Sequence, residues 1–84
     1  MAGNIRKISV GTNFPNNVIH YVVGQEFEVQ GVVYKISDII FDKEYTQLTG
    51  NSTYHIYVRN EHGTVKWNTI EDMPVKVEYN LSFE

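Results

Sequence analysis

The chain has 84 residues, 42% of them hydrophobic and 20% charged, with a net charge of -3 and no cysteine. That length fits one domain of ordinary globular composition, burying only roughly 60–65% of its unfolded surface. A disulfide or thiolate-metal scaffold is excluded, and the mild acidity argues against a general nucleic-acid binder.

The opening segment "MAGNIRKISV" carries two basic residues without an apolar run of signal-peptide length. No later segment approaches the ~20 apolar residues of a membrane span, so a soluble intracellular protein without cofactor is expected. "IRKISV" and "VIHYVV" read as strands joined through "GTNFPNN", whose Pro15 and paired asparagines suit turn geometry. Within the second strand, alternation groups His20 with Val18 and Val22, and Tyr21 with Ile19 and Val23. Both faces are then largely apolar, as in a buried strand or one at a subunit interface. A buried His20 needs a hydrogen-bond partner, because an unsatisfied polar group costs ~1–3 kcal/mol; a second subunit or a ligand is one source.

Gly24 and Gly31 stand alone as turn or bulge positions. "VVYKISDIIF", Val32 to Phe41, is a longer strand with apolar residues on both faces, hence central or bent. "DKEYTQLTGNS" reads as a long polar loop, and no segment shows helical periodicity. "TYHIYVRN" and "TVKWNTI" flank "NEHG", a hairpin connection whose last residue suits positive φ. Pairing Arg59 with Thr64 places Val58 opposite Val65 and Ile56 opposite Trp67, which turns Trp67 toward the core. The other face then holds His55, Tyr57 and Arg59 beside Asn68, Lys66 and Thr64. "VKVEYNLSF" closes the chain with strict alternation from Val75 to Phe83, preceded by Pro74. Six or so short strands predict an all-β single domain over residues 1–84, either a strongly bent antiparallel sheet or a small barrel. A dimer would cover the same exposed surfaces.

Catalytic signals are weak. His20, His55 and His62 lack metal-ligand spacing, no serine sits in a strand-turn-helix elbow, and no glycine-rich phosphate loop is present. Asp38 and Asp42 form a carboxylate pair on paper, yet capping of a strand end in water explains them more simply. No enzyme and no metal are therefore expected. The stronger signal is aromatic: six tyrosines, four phenylalanines and one tryptophan. Tyr57 beside Arg59 and Lys66 combines a stacking ring with cations that pair with phosphate; ordinary cross-strand packing yields the same pattern.

The strings "ISVG", "HYVVGQEF", "VKWNTI" and "MPVKVEYNL" together resemble a family of short uncharacterised proteins of large tailed bacteriophages, over Ile8 to Phe83. The resemblance implies an accessory role in the host bacterial cytoplasm, where such proteins disable host defences, some by sequestering a nucleotide-type immune signal. Nanomolar sequestration corresponds to about -12 kcal/mol, and a chain this short has little room for an enclosing cleft. The expectation is a homo-oligomer that binds a nucleotide-type ligand at or near a subunit interface through His20, Tyr21, Tyr57, Arg59, Lys66 and Trp67. The alternatives are a protein-protein inhibitor of a host enzyme and a minor virion component.

Overall fold

A computed structural model describes residues 4–13, 16–71 and 75–80. Two antiparallel sheets face each other across an aliphatic core. The first has the order β2-β1-β7, from β1 (Asn4–Asn13), β2 (Asn16–Val22) and β7 (Val75–Asn80). The second has the order β3-β4-β5-β6, from β3 (Glu26–Val29), β4 (Val32–Phe41), β5 (Thr53–Asn60) and β6 (Gly63–Glu71). Among the described residues one helix, α1 (Lys43–Thr49), links β4 to β5. The all-β reading holds, as two packed sheets and without a closed barrel among the described residues.

Strand β1 carries Ile8 and Val10 onto the second sheet, where they meet Ile36 and Ile39 of β4, Ile56 and Val58 of β5, and Ile70 of β6. The alternation in "VKVEY" behaves as expected: Val75 and Val77 pack against this core from β7, while Lys76 and Glu78 are exposed. Leu81 and Phe83, like Pro15 and Pro74, lie outside the described residues. Each fully buried isoleucine contributes roughly 1.5–3 kcal/mol by leaving water.

Two β-bulges bend the second sheet. Between β4 and β5 the register steps from Ile36↔Val58 to Asp38↔Tyr57, leaving Ser37 unpaired in the ladder; its hydroxyl donates to the Tyr57 carbonyl at 3.3 Å. The extra residue resets the phase of β4, so Ile36 and Ile39, three apart, both point inward. This is why "VVYKISDIIF" shows apolar residues on both faces while the strand is interior to the sheet and bent. Between β5 and β6 the register steps from Tyr57↔Lys66 to Ile56↔Asn68, and Trp67 is the extra residue. Arg59↔Thr64 and Val58↔Val65 pair as the sequence predicts. Ile56↔Trp67 does not, because a one-residue insertion is invisible to period-two counting.

The chain crosses between sheets at Val23 and Gly24. Val23 N–H donates to Arg6 of β1 and Gly24 N–H to Ile36 of β4, both at 2.8 Å, so consecutive residues bond to different sheets. Gly24 makes this corner at φ +96°, a conformation that side-chain-bearing residues rarely adopt. The strand β3 that follows, "EFEV", is additional to the six expected and escapes sequence reading because it has only four residues. Its hairpin to β4 turns through Gln30 and Gly31, both at positive φ, as a primed two-residue turn requires. "GTNFPNN" is shorter as a connection than expected: β1 runs to Asn13 and β2 begins at Asn16.

The polar stretch expected as a loop contains α1. Asp42 caps it, with Oδ1 accepting from Tyr45 N–H at 2.9 Å, and Gly50 ends it by donating to the Thr46 carbonyl. With no buried residue, α1 has no apolar stripe for sequence periodicity to find. Thr46 ties it to the sheet by accepting from Thr53 N–H at 3.0 Å. No described helix is long and apolar enough to cross a membrane.

Ile56, completely buried between the sheets, is expected to lose about 2–5 kcal/mol of stability as Ile56→Ala. Val33→Thr, at an exposed position of β4, should stay within about 0.5 kcal/mol; urea unfolding of both variants checks the location of the core.

Candidate functional site

The two bulges and the twist bring the free edges of the second sheet toward each other. In a flat sheet β3 and β6 would stand ~14 Å apart, three spacings of ~4.8 Å. Instead the rings of Phe27 on β3 and Trp67 on β6 approach to 4.9 Å between centroids. Phe27 also stacks on Tyr34, its direct partner on β4, at 5.9 Å. Tyr21 of β2 meets the edge of Trp67 at 5.6 Å with planes 72° apart. Edge-to-face and offset geometries suit the ring quadrupoles and contribute ~0.5–1.5 kcal/mol per pair beyond area burial.

Phe27, Tyr34 and Trp67 line a groove of about 200 Å³ with Val58 on its floor and Val29, Val65 and Lys66 at its sides. A neighbouring depression of about 210 Å³ shares Tyr34 and Val65 and runs to Asn60 and His62 at the β5–β6 hairpin. Trp67 stays 42% exposed despite its ring contacts with Tyr21 and Phe27. Its position corrects the expectation of a core tryptophan: the bulge seats it at the rim, over Val58, rather than opposite Ile56 in the interior.

The six residues singled out from sequence do not form one cluster. Tyr21 meets the ring of Trp67, and Lys66 borders both the groove and the depression beside His55, Thr69 and Glu71 on the other face. Tyr57 and Arg59 flank buried Val58 in β5 and therefore project to the opposite face, where Tyr57 pairs with Lys66 and Arg59 with Thr64. Acidic neighbours on that face dilute its positive charge: Asp38 lies opposite Tyr57, and Glu26 lies opposite Lys35, itself the partner of Arg59. His20 stands apart from Tyr21 because successive strand residues face opposite ways. It is exposed, and its Nδ1 is 2.8 Å from the Ser9 hydroxyl, which answers the need for a partner within the chain. Phe27 and Tyr34 were missed from sequence; the signal was the two-residue hairpin at Gln30-Gly31, which sets them face to face.

A second polar arrangement lies beside α1. His55 Nε2 is 2.9 Å from Asp42 Oδ2, and His55 Nδ1 is 3.0 Å from the Thr69 hydroxyl. A carboxylate only accepts, so Nε2 donates to Asp42, and in the neutral ring Nδ1 accepts from Thr69. Thr69, not Asn68, is the partner of His55 across the sheet, because the bulge at Trp67 shifts the register by one. Asp42 thus caps a helix rather than a strand end, with one oxygen on Tyr45 N–H and the other on His55. The Tyr45 backbone bond, followed by the His55 bond, holds its carboxyl below the ordinary value of 3.8. Among the described residues no three histidine or acidic side chains converge to hold a metal ion.

No protein-family model matches the chain, and neither the curated proteins nor the solved structures contain a significant match.

Because Asp42 has a lowered carboxyl value in the fold, its contribution to stability is complete above the unfolded value and is lost as pH falls through the folded one. Asp42→Asn should therefore unfold with a shallower dependence on pH below about 4 than the parent chain. Thermal unfolding between pH 2 and pH 7 reads this slope, and identical acid limbs for the two chains would contradict the capping role.

Proposed function

We propose that the chain is a small binding protein for a planar, anionic ligand of nucleotide type, held in the groove between β3 and β6. The observation that carries this reading is the ring arrangement: Phe27, Tyr34 and Trp67 border one concave site, with Trp67 partly exposed and Lys66 beside it. A base stacking on such rings gains ~1–3 kcal/mol. At about 200 Å³ the groove falls below the ~300 Å³ of most ligand pockets. It therefore takes the ring of the ligand, while the sugar-phosphate lies outward along the depression toward Asn60 and His62.

No chemical step belongs to this reading; binding alone is the activity. Together with the resemblance to short phage proteins, it suggests a counter-defence protein that withholds a nucleotide-type immune signal in the host bacterial cytoplasm. Tyr57 and Arg59, facing away from the groove, lie outside the proposed contact set.

The single tryptophan of the chain makes the groove directly observable. Titration with AMP, NAD and a panel of cyclic dinucleotides should give saturable quenching of Trp67 emission by at least one compound. Tyr34→Ala should weaken that binding by about 5- to 150-fold, the equivalent of ~1–3 kcal/mol. Arg59→Ala should leave it unchanged. Absence of quenching across the panel, or equal affinity in Tyr34→Ala, would remove the groove as the site.

A further inference from the structure

Strand β2 is an edge of its three-stranded sheet, and its outward ladder can be assigned group by group. Val23 N–H bonds to Arg6 of β1, so by antiparallel alternation Tyr21 and Ile19 also point their backbone groups at β1. Val22, His20, Val18 and Asn16 therefore point theirs away from it. Val22 is already occupied: its N–H donates to the Gln25 side chain at 3.2 Å and its carbonyl accepts from Gln25 N–H at 2.9 Å. Val18 N–H donates to its neighbour Asn17 Oδ1 at 3.1 Å, a local bond. Among the described residues, the outward ladder available to another strand thus runs from Asn16 to His20.

Natural edges are protected by charge, proline, bulges or cover. Within Asn16–Val22 there is no acidic residue, lysine, arginine or proline, and its pairing with β1 is regular. Val18 is 53% exposed, with Ile19 and Val22 also exposed. The other edges differ. β3 carries Glu26 and Glu28, which an antiparallel copy would set close to their own likes. β6 carries Lys66 and Glu71 and is broken by the bulge at Trp67. On β7, Glu78 is engaged by Lys7 at 3.7 Å. Copies that each carry a net charge of -3 repel over most approaches, and β2 is the uncharged line along which they meet without that cost.

We propose that β2 is the seam of a homodimer, two copies pairing antiparallel with Val18 opposite Val18 on the twofold axis and their sheets merging into one of six strands. The register follows from the occupied Val22. Centring on His20 would require Val22 to pair, and centring on Ile19 would leave only Val18 and His20 to exchange bonds. Centring on Val18 lets Asn16, Val18 and His20 all pair, with Asn17 giving up its local bond. The self-complementarity of a twofold interface is met because the same short strand supplies both sides. This inference stands apart from the ligand reading and needs no ligand to be tested.

The chain has no cysteine, so a single introduced thiol reports the axis. In a hydrogen-bonded antiparallel pair the opposed Cα atoms lie ~5.5 Å apart, within disulfide range. Under mild oxidation Val18→Cys should convert mainly to a covalent species of twice the 9.7 kDa chain mass, while Leu48→Cys on α1, at an 82% exposed position, should stay largely monomeric. By light scattering the parent chain should have the dimer mass and Val18→Lys the monomer mass, with unchanged circular dichroism. A monomeric parent chain at high micromolar concentration, or cross-linking of Val18→Cys no faster than Leu48→Cys, would overturn the proposal; a β2 edge reserved for a different protein would give that result.

Discussion

The row Asp38–Tyr57–Lys66 is where the second sheet bends, because an extra residue enters the ladder on either side of Tyr57, Ser37 from β4 and Trp67 from β6. A regular ladder through these strands would keep Ile36 and Ile39 on opposite faces and hold β3 far from β6. With both insertions, two isoleucines of one strand reach the same core, and the rings of two outer strands come within 4.9 Å. Core and groove thus share one cause. Bulges raise local twist and bend the strand that carries them, and here that bending converts a four-stranded sheet into a concave surface.

The aromatic groove and the aliphatic core have different tasks. The core residues Ile8, Ile36, Ile56 and Val58 are almost entirely withdrawn from water and account for the adhesion of the two sheets. The rings of Phe27, Tyr34 and Trp67 lie nearer the rim, each partly exposed, where their faces remain available. Phe27 and Tyr34 pack against the core on one side, so in a chain with so little interior only part of each ring surface is left at the rim. Tyr21 bridges the two parts, since its strand belongs to the first sheet while its ring meets Trp67 of the second.

The polar network around His55 holds α1, a helix that buries no residue of its own. Asp42, His55 and Thr69 connect the helix cap to β5 and β6 in one hydrogen-bonded line, and Thr46 adds a bond to Thr53. A seven-residue helix is too short to be stable alone, so these bonds and the caps replace the buried stripe it lacks.

Much of the architecture was legible from sequence because strand patterning is local. Val32–Phe41 as a bent interior strand, the hairpin closing Arg59 on Thr64, and the alternation from Val75 all follow from side-chain period and turn chemistry within a few residues. The helix at Lys43–Thr49 was legible in principle, through Asp42 before it and Gly50 after it, but composition masked it. What only the tertiary structure decided were the two insertions in the ladder. Whether a strand pairs regularly or takes an extra residue depends on its neighbours, and each insertion reassigns every side chain beyond it to the other face. That is why Trp67 sits at the rim instead of opposite Ile56, and why His55 meets Thr69 instead of Asn68, while Tyr57 and Arg59 keep the face opposite Trp67 that alternation gave them.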